Sequence, residues 1–181
     1  MKKLISLSSA LLICGSAARA AELQIEKENS RIQVDAKATG HSFTGDLKDY
    51  TVKVAGNVST SEPSSVSLKW DFNDLKTGDE KRDKEMIKWL GGGKPTGTFT
   101  FGKSWKDDKG GLQAEGEITI HGISKTISFP YSVKREGNRA TIDGTATLDY
   151  QNFKLPIIRN LAVMKVEPNL TVRFHLTGEV K

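Results

Sequence analysis

The dominant pattern along the chain is an alternation of apolar and polar residues with a period of two. Successive side chains on a β-strand point to opposite faces, so this period predicts strands with one buried face. Eight or so such runs follow one another, most of them with one apolar and one polar face. They cover residues 31–38, 51–58, 65–72, 98–101, 112–121, 127–133, 140–148 and 170–180.

Short turn sequences join several of these runs. The stretches 108–111, 121–124 and 136–138 each contain glycine and separate two alternating runs by only a few residues, as hairpin loops do. A parallel pair would need a crossover of a dozen residues or more. The sequence therefore predicts an all-β, antiparallel meander.

Two segments break the alternation. Residues 79–90 (DEKRDKEMIKWL) are rich in helix formers, begin with acids that suit a helix N-terminus and end before three glycines. We expect a short helix there, packed over one opening of the sheet by an apolar stripe of Met86, Ile87 and Leu90. The second segment, 150–167, is expected to form a lid from an apolar cluster of Leu155, Ile157, Ile158, Leu161, Val163 and Met164.

Strands with one apolar face can close into a barrel or stack as a sandwich, and alternation alone does not separate the two. An eight-stranded barrel has room for one small ligand. Several inward positions are small, which favours a cavity unless bulky neighbours fill the space. These positions are Ala36, Ala38, Gly56, Ala114, Gly116, Gly144 and Ala146. A packed core remains the alternative at this point.

The first twenty residues have the features of a cleaved export signal. Lys2 and Lys3 precede an apolar run at 4–13, and Ala18 and Ala20 supply small residues for cleavage after Ala20. The run is too short to span a bilayer. We therefore expect a periplasmic protein without stable membrane insertion, formed by residues 21–181 as a single domain. A buried N-terminal strand is the alternative interpretation.

Cleavage would change the charge of the protein. The whole chain has a formal net charge of +5, but without Lys2, Lys3 and Arg19 only 24 basic residues stand against 22 acidic ones, a net charge of +2. The basic residues are interleaved with acids, which argues against a nucleic-acid partner. The single cysteine, Cys14, lies in the expected signal. Lipid attachment at Cys14 is a second possibility, which the bulky Ile13 before it disfavours.

Four segments resemble the YceI-like, or polyisoprenoid-binding, family, and they occur in the family's order. TGDEKRDKEM at 77–86 is similar to its TGN-x-x-RD-x-x-M signature, and HSFTG at 41–45 to its H-x-F-x-G element. AEGEITIHGISK at 114–125 resembles its G-x-L-T-I-H-G-V-T-K hairpin, and DYQNF at 149–153 its D-Y or D-F element. Two departures are Asp79, where the family commonly has Asn, and the residues at 93–96, where it has an aromatic-proline element.

The resemblance implies a lipocalin-like antiparallel barrel with an elongated pocket for a polyisoprenoid or another long-chain lipid. The apolar side chains that share the inward phase are then expected to contact that lipid, although they would equally fill a plain core. They are Trp70, Phe72, Phe99, Phe101, Ile118, Ile120, Phe129 and Tyr131. At the polar mouth, His41 and Arg82 are the expected ligand contacts.

Other polar residues have less specific roles at this stage. Arg82 and Asp83 could instead form an ion pair that pins the helix, and His121 is expected to be a solvated turn residue. Lys154 and Arg159, near the expected lid, are further candidates for holding an anionic group.

The export signal, the alternating strands and the family resemblance together imply a periplasmic protein that binds or carries a polyisoprenoid, a quinone or a fatty-acid-like chain. The histidines at 41, 121 and 175 have no metal-binding spacing, no G-x-S-x-G elbow occurs, and the glycines at 92–97 lack the lysine of a phosphate loop. No metal, cofactor or enzymatic activity is expected. The alternative is an interaction protein with a packed β-sandwich core, and whether two chains form a homodimer is left open.

Overall fold

Antiparallel strands account for most of the computed structural model, which describes residues 20–57, 62–160 and 164–181. Residues 1–19 of the expected signal, with Cys14, lie outside the described residues. One α-helix, α1, spans Glu80–Trp89. The strands are β1 (Ala20–Ile25), β2 (Arg31–Ala38), β3 (His41–Leu47), β4 (Thr51–Asn57), β5 (Pro63–Asp71), β6 (Leu75–Lys76), β7 (Thr96–Lys106), β8 (Leu112–Ile120), β9 (Ile123–Glu136), β10 (Arg139–Asp149), β11 (Arg159–Asn160), β12 (Met164–Lys165) and β13 (Asn169–Val180).

Eight strands form a closed ring in the order β1-β4-β5-β7-β8-β9-β10-β13, and β13 pairs with β1 to complete it. Every pair in the ring is antiparallel. The predicted antiparallel barrel of about eight strands is therefore confirmed. A ring of continuous backbone pairing also excludes the two-sheet sandwich.

Strand β13 has two neighbours on one edge. Its residues from Thr171 to His175 pair with β2, whereas Gly178 to Val180 pair with β1. Strand β2 continues into β3 and the short β6, so this end of the sheet branches away from the ring. The meander holds from β7 to β10, but β1 departs from it, because it pairs with β4 and β13 and not with β2.

The strands β1 and β3 were not among the predicted runs. Strand β1 has only six residues, so its alternation of Leu23 and Ile25 with Glu22 and Gln24 is too short to stand out. In β3 the inward positions include Gly45, where a Cβ would lie 3.1 Å from Leu75 Cδ1. Because Leu75, thirty positions away, leaves little room for a side chain, position 45 is glycine. This glycine interrupts the apolar pattern by which a strand is identified.

The hairpin between β8 and β9 shows how the predicted turns form. Ile120 pairs with Ile123, which leaves only His121 and Gly122 in the loop. Both have positive φ angles, 52° and 72°, as a tight two-residue turn requires. Glycine adopts this conformation without strain. His121 is exposed at this turn, as expected.

Helix α1 lies at the same end of the barrel as this turn. Asp79 caps its first turn by accepting hydrogen bonds from the backbone N–H groups of Lys81 and Arg82, and Gly91 to Gly93 follow its last turn with positive φ. The predicted helix over one opening is therefore present.

Residues 150–158 pack beside α1, with Tyr150 against the ring of Trp89. Segment 150–167 contains a short 3-10 helix, Tyr150–Phe153, and the two-stranded hairpin of β11 and β12. Leu155 is buried there. Of the expected lid residues, Leu161 and Val163 lie outside the described residues.

Candidate functional site

A cavity of about 1070 Å³ occupies the interior of the barrel. Its walls come from the inward faces of the ring strands together with β2, β3 and one face of α1. At the far end from α1, buried Leu23, Val54, Ala140 and Ile142 pack together. The volume lies just above the range common for pockets that take small ligands.

The inward side chains show that the interior is not a filled core. Leu68, Phe99, Phe101, Val172 and Phe174 all point inward, yet each stays only partly buried. In a protein interior packed to normal density, such side chains are covered by neighbouring atoms. Phe153, which does not line the cavity, is only 2 % exposed by comparison. The exposed surface of the inward residues therefore belongs to the cavity wall.

All ten of the predicted ligand-contact residues line this cavity. Eight are apolar or aromatic wall residues from β5 and its end, β7, β8 and β9, and two are polar residues near α1. They are Trp70, Phe72, Phe99, Phe101, Ile118, Ile120, Phe129, Tyr131, His41 and Arg82. Their inward placement follows from the strand phase, whereas ligand contact itself stays a prediction.

The small inward residues divide into two groups. Ala36, Ala38, Ala114 and Ala146 line the cavity, as the sequence indicated. Gly56, Gly116 and Gly144 do not. A Cβ at Gly144 would lie 2.2 Å from Phe174 Cζ, and one at Gly116 would lie 2.4 Å from Phe99 Cζ. These two glycines are covered by aromatic rings from neighbouring strands, so they serve packing and leave no free space.

Charged side chains line the cavity only at the end covered by α1, as far as the described residues show. These charged or titratable side chains are His41, Asp79, Lys81, Arg82, Glu85 and Lys88. Apart from them and from Thr77 and Tyr131, the described lining is apolar. The cavity thus has an apolar body and one polar mouth, the arrangement expected for an amphiphilic ligand.

Hydrogen bonds connect the helix to the neighbouring segment at this mouth. Trp89 Nε1 donates to the carbonyl oxygen of Pro156 at 2.9 Å. The Tyr150 hydroxyl donates to the Val166 carbonyl at 3.0 Å and accepts from the N–H of Ile158 at 3.3 Å. Burial raises the pKa of Tyr150, so its hydroxyl stays protonated and able to donate.

Ile157 and Ile158 line the cavity beside these bonds, which supports a lid role for residues 150–158. Lys154 was expected to hold an anionic group near this lid. Its side chain is exposed and does not line the cavity, so the structure gives that expectation no support. Arg159 pairs through its backbone with Lys165, and its side chain lies outside the described part.

The expected ion pair between Arg82 and Asp83 is also wrong. Neighbouring residues on a helix point about 100° apart and do not face each other. Asp83 instead accepts hydrogen bonds from the backbone N–H and the hydroxyl of Thr77, at 3.0 and 2.6 Å. Arg82 Nη2 lies 3.5 Å from Asp79 Oδ2. Asp83 thereby fixes the start of α1 to the end of β6, and Arg82 faces the mouth.

Arg82 is positioned by an aromatic ring. Its guanidinium carbon lies 4.2 Å from the centroid of the Phe43 ring, a cation–π contact. Phe43 and His41 are neighbours on β3, with ring centroids 6.1 Å apart. The predicted mouth residues His41 and Arg82 therefore come together through Phe43.

Several cavity residues were missed by the sequence reasoning. Phe43 lay inside the H-x-F-x-G element, which could have identified it. Trp89 lines the cavity, whereas Ile87, assigned to the apolar stripe, does not. The spacing of Arg82, Met86 and Trp89 is that of one helical face, and this spacing could have identified Trp89.

Two further observations limit the chemistry of the described residues. No group of three or more His, Cys, Asp or Glu residues in residues 20–57, 62–160 and 164–181 could hold a metal ion. The helices found in those same ranges include none long and apolar enough to cross a membrane.

The chain has relatives among known protein sequences. The model of the YceI-like domain matches residues 23–178. A "UPF0312 protein" of Pseudomonas putida is 31% identical over 169 residues, which cover 82% of this chain and 83% of the relative. A second one, from Pseudomonas paraeruginosa, is 28% identical over 182 residues and covers 93% of both chains.

Solved structures share the fold at low sequence identity. BcnA of Burkholderia cenocepacia superimposes with a TM-score of 0.71 at 17% identity, covering 86% of this chain and 99% of BcnA. A polyisoprenoid binding domain from Saccharophagus degradans, implicated in plant cell wall breakdown, gives 0.66 at 15% identity, covering 90% and 98%. The YCEI protein of Campylobacter jejuni gives 0.61 at 18% identity, covering 76% and 84%.

Proposed function

Because this chain belongs to the YceI-like family and its barrel surrounds a large apolar cavity, we propose that it is a periplasmic protein that binds and carries one long-chain lipid. The lipid is a polyisoprenoid, a quinone or a fatty-acid-like chain. The family membership supports lipid binding, and the Saccharophagus degradans neighbour is itself described as a polyisoprenoid binding domain.

The observation that carries this proposal is the set of half-buried aromatic and aliphatic side chains facing a cavity of about 1070 Å³. Each Å² of apolar surface removed from water stabilises a complex by about 25 cal/mol. Phe99, Phe101 and Phe174 have such surface available without any rearrangement of the barrel. An alkyl or prenyl chain gains affinity here without specific polar contacts.

The cavity volume sets the size of the ligand. A chain carbon with its hydrogens takes roughly the volume of a water molecule in the liquid, about 30 Å³. The cavity of about 1070 Å³ then accommodates a chain of at most about 35 carbons. That is the length of a prenyl chain of about seven isoprene units. A much longer chain would extend through the mouth beside α1.

Lipid carriage is tested by transfer between vesicles. Donor vesicles containing a fluorescent prenol are mixed with unlabelled acceptor vesicles, with and without the protein. The proposal expects transfer that increases in proportion to protein concentration, and recovery of the prenol chemically unchanged. Uptake without transfer would reduce the role to storage, and a chemically altered prenol would contradict a purely binding function.

The periplasmic location is supported by the composition of the first twenty residues and needs its own test. Fractionation of cells that express the full chain should place the protein in the periplasmic fraction. N-terminal sequencing of that protein should begin at Ala21. Recovery from the cytoplasm with an intact N-terminus would contradict the export part of the proposal and leave lipid binding unaffected.

A further inference from the structure

The acidic and the basic side chains at the cavity mouth differ in how many hydrogen-bond and ion-pair partners they have within the protein. Asp79 Oδ1 accepts from the backbone N–H groups of Lys81 and Arg82 at 2.9 and 3.1 Å, so this carboxylate serves the helix N-terminus. These bonds, above all that from the Arg82 N–H, lower the pKa of Asp79 and keep it ionised. Glu85 lies 3.9 Å from Lys88 Nζ. Both acids of the mouth therefore already have cationic or N–H partners.

The basic side chains at the mouth have fewer partners within the protein than the acids do. Lys81 has no carboxylate within 4 Å among the residues that the structure describes. Arg82 has one long contact, 3.5 Å to Asp79 Oδ2, although a guanidinium carries five N–H donors. With Lys88, the mouth has three basic side chains against two acids. The excess charge is positive, in contrast to the apolar cavity body.

Arg82 is the best placed of these cations. Its guanidinium lies over the ring of Phe43, a cavity-lining residue on β3. The contact with the Phe43 ring holds the flat face of the guanidinium in position. The N–H donors on the edge of the guanidinium stay available. A guanidinium in fixed orientation binds a carboxylate or phosphate through two parallel hydrogen bonds.

We propose that the mouth selects lipids with an anionic head group, a carboxylate or a phosphate monoester, and that Arg82 is the principal head-group contact. This inference rests on the proposed lipid-binding function and specifies the chemical class of the ligand. The tail lies in the apolar body, and the head group meets Arg82 with support from Lys81. A neutral amphiphile of equal length gains the tail contribution only.

The test compares ligands that share one saturated chain and differ only in the head group. Hexadecanol, palmitate and hexadecyl phosphate are titrated into the delipidated protein at one fixed pH and ionic strength. Wild-type protein should bind the two anionic ligands on the order of tenfold more tightly than the alcohol, as expected for a hydrogen bond to a charged group. Addition of salt should reduce this preference without changing the affinity for the alcohol.

Variants then assign the preference to Arg82. Arg82→Gln should remove most of the preference and leave hexadecanol affinity within about twofold, because the tail site is unchanged. Arg82→Lys keeps the positive charge and should retain part of the preference for the anionic ligands. Lys84→Gln is the matched control, because Lys84 lies on the same helix, is 80% exposed and pairs with Glu80 outside the cavity. It should behave as wild type.

Each other outcome overturns a defined part of the inference. Equal wild-type affinity for the alcohol and the anions overturns head-group selection and leaves lipid binding standing. Failure of all three ligands to bind overturns the proposed function as well. If Arg82→Gln loses hexadecanol affinity too, Arg82 has only a structural role. If inorganic phosphate alone binds as tightly as hexadecyl phosphate, the mouth is a free-anion site and lipid selection is overturned.

Discussion

Filling the cavity from one wall should shorten the chain that the barrel accepts. Ala146 lies on β10, is only 6% exposed and lines the cavity. In Ala146→Phe the side chain gains six carbons, which at about 30 Å³ per carbon remove on the order of 180 Å³ from the cavity. The loss is about one sixth of the 1070 Å³ volume and equals about six chain carbons.

The energetic effect should depend on ligand length. Each buried methylene contributes about 0.8 kcal/mol, so expelling six of them costs at most ~5 kcal/mol, or more than a thousandfold in Kd. A prenol of seven isoprene units fills the wild-type cavity and should show a large part of this loss. Farnesol, with three isoprene units, still fits the remaining space and should change by less than about threefold.

The assay is displacement of a fluorescent prenyl probe from delipidated protein by prenols of increasing length. The matched control is Thr145→Phe on the same strand, where the side chain is exposed on the outer face. It should leave affinity for both prenols unchanged. Equal weakening of farnesol and the long prenol by Ala146→Phe, or no weakening of either, would refute the proposed position of the chain in the cavity.

Three further predictions concern the wall, the lid and the outer surface. Phe99→Asp places an unpaired carboxylate in the apolar wall and should lower the free energy of unfolding by about 3 kcal/mol and abolish prenol binding; a variant with normal unfolding and binding would show that the inward phase of β7 is wrong. Trp89→Phe removes the hydrogen bond to Pro156, so bound lipid should dissociate a few-fold faster in stopped-flow measurements. An unchanged dissociation rate would show that this hydrogen bond does not slow the opening of the lid. The hydrogen bond from Arg173 lowers the pKa of Asp35, so its stabilising effect is present above about pH 4 and is lost as pH falls through the lowered folded-state value. The stability difference between wild type and Asp35→Asn should therefore shrink in thermal unfolding between about pH 5 and pH 2, and a constant difference would contradict the ionic origin.

The barrel wall could be predicted from sequence because its determinants are local. Phe99 and Phe101, or Ile118 and Ile120, lie two residues apart, and a strand places such pairs on one face whatever the rest of the chain does. The sheet order required the structure. The pairing of β1 with β4 and β13 joins segments distant in sequence, and no local pattern encodes it.

The mouth was less predictable because its contacts are tertiary. Sequence proximity suggested that Arg82 pairs with Asp83, but helix geometry separates the two, and Arg82 meets Phe43 from another strand. The glycines at 116 and 144 suggested open space, yet Phe99 and Phe174 fill it from neighbouring strands. In both cases the deciding partner is a residue that only the folded chain brings close.

Native mass spectrometry of the protein purified from the periplasm, without detergent, tests the central claim most directly. The account predicts a mass above that of the bare chain by one long-chain lipid per chain. Solvent extraction should remove this excess, and a prenol or fatty acid added back should restore one ligand per chain. A protein that is recovered at its bare mass, and that takes up neither added prenol nor added fatty acid, would contradict the claim that the barrel is a lipid site.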